Sequence, residues 1–220
     1  MAKFEKANSV GEWLEQRLNI KAINKVMMTE YWIPKDINFL WAMGVLLATT
    51  FTILVISGLF LMMYYKPDIN LAFDSVNYTI MQEVAFGWLF RHIHGVAASV
   101  IFLIIYIHML TGIYYGSYKQ GREMIWISGM LLFVTFSAAG FSGYMLPWGQ
   151  MSYWAAMVIT NLFGGVPVIG DALVVWIRGD FNVADATLTR FFMLHVFLLP
   201  IAIMGLIGLH FYTLRIPHVN

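Results

Sequence analysis

Cysteine is absent from the 220 residues of the chain. That absence excludes disulfides, thiolate metal sites and thioether-linked haem, and leaves the compartment open. Charge is scarce as well: 11% of residues are Asp, Glu, Lys or Arg, against 60% hydrophobic. A soluble domain carries about 25% charged residues, so the composition is that of an integral membrane protein. The formal net charge of +1 implies no nucleic acid or other polyanion as partner. There is no low-complexity linker and no repeat with a period of about 20–50 residues. The first residues lack the short apolar core of a cleaved signal, since Met1 to Asn38 is mixed and charged.

What the chain has instead is long charge-free runs. Asp36 and Lys66 bracket the first, Arg91 and Lys119 the second, Glu123 and Asp171 the third, Arg190 and Arg215 the fourth. Each is long enough for a helix of about 20 residues to cross the hydrocarbon core. The third exceeds one crossing, and Gly140, Gly143, Pro147 and Gly149 are expected to break it. Spans are therefore expected at about 38–65, 86–114, 123–145 and 188–213, within one four-helix domain over 37–220. Between the third and fourth, an interfacial, partly helical segment runs through Trp154 and Trp176, with a turn at Asn161 to Asp171. Residues 1–36 form a separate segment. In it Val10, Trp13, Leu14, Leu18 and Ile20 interleave with Glu12, Glu15, Arg17 and Lys21, the pattern of an amphipathic helix lying on a membrane surface. The fold class expected is all-α: a transmembrane four-helix bundle with an N-terminal surface helix.

Four spans put both ends on one side. That side carries Lys3, Lys6, Arg17, Lys21, Lys25, Lys35, Lys119, Arg122 and Arg215, and the other carries Lys66, Arg91, Arg178 and Arg190. The excess of Lys and Arg places both termini on the cytoplasmic, negative side, here called inside.

Four of the six histidines sit in apolar helix. An ionisable ring at membrane depth marks function by default. A lone buried histidine is more often a hydrogen-bonded structural residue, but these form two pairs. His94 and His108 are 14 apart on the second span; His195 and His210 are 15 apart on the fourth. Those intervals amount to roughly 21–22 Å of helix rise. They also return the second ring to within about 40–60° of the first. The two spans run in the same direction, so His94 shares a depth with His195, and His108 with His210. Zinc takes about four N, S or O ligands, and neither level offers a cysteine or a carboxylate. Two axial nitrogens suit haem iron, whose other four ligands come from the porphyrin. The bundle is thus expected to enclose two non-covalent b-type haems, six-coordinate and suited to electron transfer. His92 and His218 are not expected to be ligands: the first points away from His94 on its helix, and the second lies beyond the last span.

Gly44 and Gly58 are 14 apart on the first span, and Gly129 and Gly143 are 14 apart on the third. Such glycines permit either close helix packing or the approach of something bulky. The equal spacing on two helices, at depths matching the histidines, favours room for flat macrocycles. Haem propionates need cations or donors at both rims. Arg91 precedes His94 by three residues, and Ser117, Lys119 and Arg122 follow His108. Snorkelling at the interface is their alternative role.

These residues lie in stretches that resemble the N-terminal half of the cytochrome b family of quinol–cytochrome c and plastoquinol–plastocyanin oxidoreductases. The stretches are RHIHG with His94, IHMLTGIYYGSYK with His108, SGYMLPWGQMSYWAA, and ATLTRFFMLHVFLLP with His195, and the resemblance runs from about residue 10 to the C-terminus. It implies a low-potential haem b on His94 and His195 at the outer level, and a high-potential haem b on His108 and His210 at the inner level. It also implies an outer quinol-oxidation pocket along Gly143 to Ala156, with Met145, Pro147, Trp148, Tyr153 and Ala155, and an inner quinone site near Arg215. One electron from the quinol would pass to a Rieske iron–sulfur protein and a c-type cytochrome, the other across the membrane, with proton translocation. The setting implied is an energy-transducing inner (cell) membrane, with a homodimeric complex in lipid.

Several details resemble cytochrome b6: the 15-residue His195–His210 interval, Arg215 five residues after His210, the Arg122–Glu123 pair, and a chain that ends after four helices. There are departures. Thr111 stands where members often carry Arg, so propionate anchoring at the inner level leans on Arg122 or Arg215. Ala42 stands where cytochrome b6 has the cysteine that tethers an extra haem, so no covalent haem c is expected. The outer-site PEWY motif is absent, as it would be if a subunit IV-like chain or a C-terminal portion carries it. Two rival readings are a dihaem anchor of a membrane dehydrogenase or hydrogenase, disfavoured by LPWGQ and RFF-x-x-H, and a transporter or scaffold using the histidines as a proton relay.

Overall fold

The computed structural model describes residues 7–25, 29, 35, 38–119 and 121–215. Among the described residues every regular element is helical. The helices are α1 (Val10–Leu18), α2 (Ile20–Asn24), α3 (Met43–Met62), α4 (Ala72–Asp74), α5 (Gly87–Tyr114), α6 (Glu123–Met145), α7 (Gln150–Leu162), α8 (Gly170–Arg178), α9 (Asp185–Met193) and α10 (Leu199–Arg215). A 3₁₀ turn, Phe39–Ala42, leads into α3, and a π-helical turn, Leu194–Leu198, joins α9 to α10.

Four continuous helical stretches are long and apolar enough to cross a membrane: Phe39–Met62, Gly87–Tyr114, Glu123–Met145 and Asp185–Arg215. Their mean hydropathy is 1.8 to 2.4, yet only 6–17% of each apolar window is buried within the chain. Apolar surface therefore faces outward, as lipid requires and water penalises. Hydroxyls inside the helices are satisfied locally. Thr50 donates to Leu46 O at 2.8 Å, Thr111 to Ile107 O at 2.7 Å and Ser137 to Phe133 O at 2.8 Å, which keeps polar atoms paired where no water reaches.

The bundle is built from two helix pairs: α3 packs chiefly on α5, and α6 on α10. His94 and His108 ride on α5, His195 on the π-helical turn before α10 and His210 on α10, and the spaced glycines on α3 and α6. Halfway between the two histidine levels, each helix contributes one apolar side chain. Phe51 stands seven residues from both Gly44 and Gly58, Ile101 seven from both His94 and His108, and Phe136 seven from both Gly129 and Gly143. Ile203 completes the layer from α10, and Ile101, Phe136 and Ile203 are buried in one cluster with Phe51 packed against them. Phe51 meets Phe136 edge to face at 5.6 Å, a favourable aromatic geometry.

Gly140 and Gly143 do not interrupt the third span: both lie inside α6. A Cβ at either would press on a neighbouring ring, Phe102 or His195 respectively, so they serve close approach rather than a break. The helix stops at Met145 because Pro147 follows and Trp148 takes a left-handed φ of 51°, a conformation bulky residues rarely adopt. The segment after it folds as α7, a 3₁₀ turn at Phe163–Gly165, and α8. Arg178 braces this segment from a buried position. Its Nε donates to Thr160 Oγ1 at 2.9 Å, Nη2 to Asn161 Oδ1 at 2.8 Å and Nη1 to Phe181 O at 3.1 Å. Three neutral acceptors thus tie α7 to the loop after α8.

At the N-terminus, Ser9 caps α1 by accepting Glu12 N–H at 3.1 Å, and Asn19 in the left-handed region ends it. Val10, Trp13 and Leu18 are exposed on this helix, and the Arg17 guanidinium lies over the Trp13 ring at 4.4 Å. His218 and the basic residues Lys3 and Lys6 lie outside the described residues.

Candidate functional site

The imidazoles of His94 and His195 face one another with ring centroids 6.1 Å apart and planes at 79°. Those of His108 and His210 repeat the arrangement at 6.4 Å and 70°. Both separations are too wide for a ring-to-ring hydrogen bond. They match two imidazoles gripping one shared metal ion from opposite sides, whose nitrogens at about 2 Å from the metal put the centroids about 6 Å apart. Among the described residues no three His, Cys, Asp or Glu side chains gather. A metal held by two such rings therefore needs its remaining ligands from elsewhere, as a porphyrin supplies them.

The 15-residue interval on the fourth span has a structural reason. At Leu194–Leu198 the helix widens to a π turn, with Leu199 N–H bonding Leu194 O five residues back. Pro200 stands next to it and has no N–H to offer the ordinary ladder. The wider turn absorbs one residue, so His195 and His210 stay in step with the 14-residue pair on α5.

The rings are fixed from behind. Ser57 Oγ donates to Ile53 O at 2.6 Å, so its lone pair is free to accept Nδ1–H of His94 at 2.9 Å. Ser128 Oγ likewise donates to Ile125 O at 3.0 Å and accepts from His210 Nδ1 at 2.9 Å. His195 Nδ1 donates to the carbonyl of Ala139 at 2.9 Å, with Ser142 Oγ at 3.4 Å. A carbonyl only accepts, so Nδ1 carries the proton in His195; in His94 and His210 the same tautomer lets each serine keep its bond to a backbone carbonyl. Nε2 is left with its lone pair, the form a metal needs. No hydrogen bond reaches the ring of His108 among the described residues.

Three of the four spaced glycines touch this arrangement. A Cβ on Gly58 would lie 3.1 Å from His94 Cε1 and one on Gly129 3.2 Å from His210 Cε1. One on Gly143 would collide with His195 Cε1, while Gly44 meets nothing within 4 Å. At these three positions the glycine lets a histidine ring sit against the helix backbone. Sequence reasoning singled out the glycines and passed over the serines. The signal was present, since each of the three contacting glycines is preceded by serine: Ser57, Ser128 and Ser142.

A cavity of about 680 Å³ opens at the His94–His195 level. Gly58, Gly143 and the two histidines line its walls, Arg91 and Pro147 its rim, and Phe51, Ile101, Phe136 and Ile203 are among its lining residues toward the bundle centre. The volume lies within the usual range of about 300–1,000 Å³ for cofactor sites. Arg91, half-buried, sits where an anionic substituent would leave the apolar interior. Of the other residues expected in an outer pocket, Met145 is fully buried in a cluster with Ala156, Val183 and Phe191, and Trp148 and Tyr153 pack against that cluster. Their rings meet at right angles 6.3 Å apart; Ala155 lies beside them on α7. Buried Tyr65 also borders the cavity and donates from its hydroxyl to Leu146 O at 2.7 Å.

At the other rim, Ser117 lies in the turn that closes α5, its N–H bonding Gly112 O at 2.9 Å. Arg122 opens α6 and Arg215 ends α10, both half-buried. Lys119 Nζ lies over the Tyr118 ring at 5.5 Å. His92 is exposed, and its Nδ1 bonds Trp88 O at 2.7 Å.

The family profile described as Cytochrome b/b6/petB matches residues 28–217. Cytochrome b of Allochromatium vinosum is 47% identical over 203 residues, covering 92% of this chain and 49% of the relative. Cytochrome b of Rickettsia conorii is 47% identical over 211 residues, covering 96% of this chain and 52% of the relative. Among solved structures, a chain of a hyperthermophilic respiratory Complex III superposes with a TM-score of 0.82 at 40% identity, covering 96% of this chain and 56% of that one. The chain thus spans about half the length of the relatives it matches.

Proposed function

This chain belongs to the cytochrome b/b6 family, and from that premise we propose that it is the dihaem part of a quinol oxidoreductase of the bc1 or b6f type. The observation that carries the proposal is the pair of facing imidazole couples, 6.1 and 6.4 Å between centroids. His94 and His195 hold one b-type haem without a covalent link, and His108 and His210 the other. When bound, the two haems supply a one-electron relay between the two levels. The chain's own residues do the rest. The Ser57, Ser128 and Ala139 oxygens keep Nδ1 protonated and Nε2 directed inward. Gly58, Gly129 and Gly143 let the rings sit against the neighbouring helix, and Gly44 would give a flat macrocycle room at the His108–His210 level. Arg91 at one rim, and Ser117, Arg122 and Arg215 at the other, bind propionate oxygens.

The PWG turn and α7 frame the quinol site, with Met145, Pro147, Trp148, Tyr153 and Ala155 shaping it from the protein side. The midplane layer of Phe51, Ile101, Phe136 and Ile203 excludes water between the levels, so protons do not follow electrons through the bundle. Quinone is reduced near Arg215 on the cytoplasmic side, where both termini lie, in an energy-transducing cell membrane. A Rieske protein, a c-type cytochrome and a polypeptide portion bearing PEWY complete the homodimeric complex, with the amphipathic helix α1 resting on the membrane surface. The test is quinol-driven reduction in membranes containing the assembled complex. With the Rieske protein present and oxidised, added quinol is expected to reduce the chain's b-type haem, read as the appearance of the reduced b-type absorbance band. A chain whose absorbance is indifferent to quinol, and which purifies with a dehydrogenase or hydrogenase iron–sulfur subunit, would overturn the assignment.

A further inference from the structure

The turn that ends α6 is held by two side chains from outside it. Pro147 has no N–H to give, so Gly143 O takes Leu146 N–H at 3.2 Å, and Trp148 N–H goes to Met145 O at 3.1 Å. The carbonyls of Tyr144 and Leu146 are left over, as carbonyls at a helix C-terminus commonly are. Ser152 on α7 donates from Oγ to Tyr144 O at 2.9 Å. Tyr65, three residues past the end of α3, donates from its hydroxyl to Leu146 O at 2.7 Å. Both donors are buried, Ser152 at 4% exposure and Tyr65 at 9%. Phe73 on α4 closes the far end of the turn: a Cβ on Gly149 would touch its ring at 3.5 Å. Trp148, at its left-handed φ of 51°, packs against the buried cluster of Tyr65 and Leu188 and against that of Met145 and Phe191.

A bulky residue in the left-handed region is strained and stays there only where its surroundings over-determine it. The two hydroxyls do so from opposite sides, Tyr65 from the end of the first span and Ser152 from α7. The turn they fix borders the cavity at the His94–His195 level, which Tyr65, Leu146 and Pro147 line together. We propose that Tyr65 and Ser152 are positioning residues of the quinol site: they hold the 145–149 turn in one shape, so that Pro147 presents a fixed face to the cavity. The inference rests on the quinol-site reading above. Each hydroxyl has its proton on a backbone carbonyl, so neither donates to the quinol, and both act through the turn alone. A wall that is already formed spares the quinol the cost of ordering it on binding. Loosening that wall therefore shows as weaker binding before it shows in the chemical step.

The experiment is steady-state quinol oxidation by the assembled complex, with a c-type cytochrome as acceptor and rates expressed per haem. The probe is a short-chain quinol, of the benzoquinol or naphthoquinol type that the wild type turns over. Assays run well below the unfolding midpoint of every variant. Tyr65→Phe and Ser152→Ala are each expected to raise KM by between about twofold and tenfold, the worth of one hydrogen bond, with kcat changed less. That split is the mark of lost binding rather than lost transition-state stabilisation. Haem spectra and midpoint potentials are expected to stay at their wild-type values. Ser152→Thr, which keeps the hydroxyl, is expected to restore KM, and the Ser152 pair decides if Tyr65→Phe assembles poorly. A purely structural role would lower the yield of assembled complex and leave KM per assembled complex unmoved. Wild-type KM in both Tyr65→Phe and Ser152→Ala would overturn the inference and leave the quinol-site reading intact. A haem-loaded wild-type complex that oxidises no quinol of either type would overturn that reading as well.

Discussion

Gly143 and His195 leave no room between them for a methyl group. A Cβ on Gly143 would overlap His195 Cε1 and lie 2.9 Å from Nδ1 and 3.0 Å from Nε2. The ring is held in place by Ala139 O, so it cannot yield without breaking that bond. Gly143→Ala is therefore expected to weaken cofactor retention at the His94–His195 level by tenfold or more, the usual scale for disturbing a metal ligand's support of about 10–100-fold. The other level keeps its cofactor. Gly58→Ala and Gly129→Ala, with contacts at 3.1 and 3.2 Å, need shifts of a few tenths of an ångström and have smaller effects. Haem content after detergent washing measures the series, and a flat response across the three would contradict it.

Tyr65 joins the end of α3 to the end of α6. Its hydroxyl bonds Leu146 O at 2.7 Å and its ring stacks on Phe192 at 5.4 Å. Tyr65→Phe leaves that carbonyl without this donor and is expected to cost about 1–3 kcal/mol, read as a lower unfolding midpoint in detergent. Burial pushes the phenol above its ordinary value. Because the folded state binds this proton more tightly, the contribution is whole below the unfolded value of about 10. It is lost as pH rises beyond that value. The stability difference between wild type and Tyr65→Phe should thus be constant up to about pH 10 and shrink above it. A difference that grows with alkalinity would contradict this.

The midplane layer predicts a cavity mutant. Phe136 is 9% exposed and meets Phe51 edge to face. Phe136→Ala is expected to destabilise the bundle by about 3–5 kcal/mol, the cost of emptying a packed aromatic site. It should also raise passive proton leakage through proteoliposomes, because the layer separates the two levels. Phe136→Leu, which fills most of the space, should recover tightness. Unchanged leakage in Phe136→Ala would remove the barrier role.

The four-helix membrane architecture was legible because charge is excluded from lipid: Lys66 and Lys119 stand just past the ends of α3 and α5, and Arg91 lies one turn inside the start of α5. The histidine couples were legible because 14 residues make nearly four full turns. Other features were hidden for physical reasons. The π turn at Leu194–Leu198 depends on which carbonyl Leu199 finds, and its traces in the sequence were Pro200 and the one extra residue between His195 and His210. The break assigned to Gly140 and Gly143 did not occur, because glycine inside a packed apolar helix admits a neighbour's ring instead of loosening the chain. Tyr65 meets Leu146 across 81 positions of sequence, a contact no local pattern encodes. Arg178 looked like an interfacial cation in a count of charges; the structure buries it among the oxygens of Thr160, Asn161 and Phe181.

The central claim is that four histidines hold two haems in two levels. Haem b per polypeptide, measured in the purified wild type and in His94→Ala, His195→Ala, His108→Ala and His210→Ala, tests it most directly. The account predicts two haems in the wild type. It predicts one in each variant, with the first two variants losing the same redox step and the last two losing the other. A wild-type chain with intact helices and no haem, or single variants that keep both haems, would contradict it.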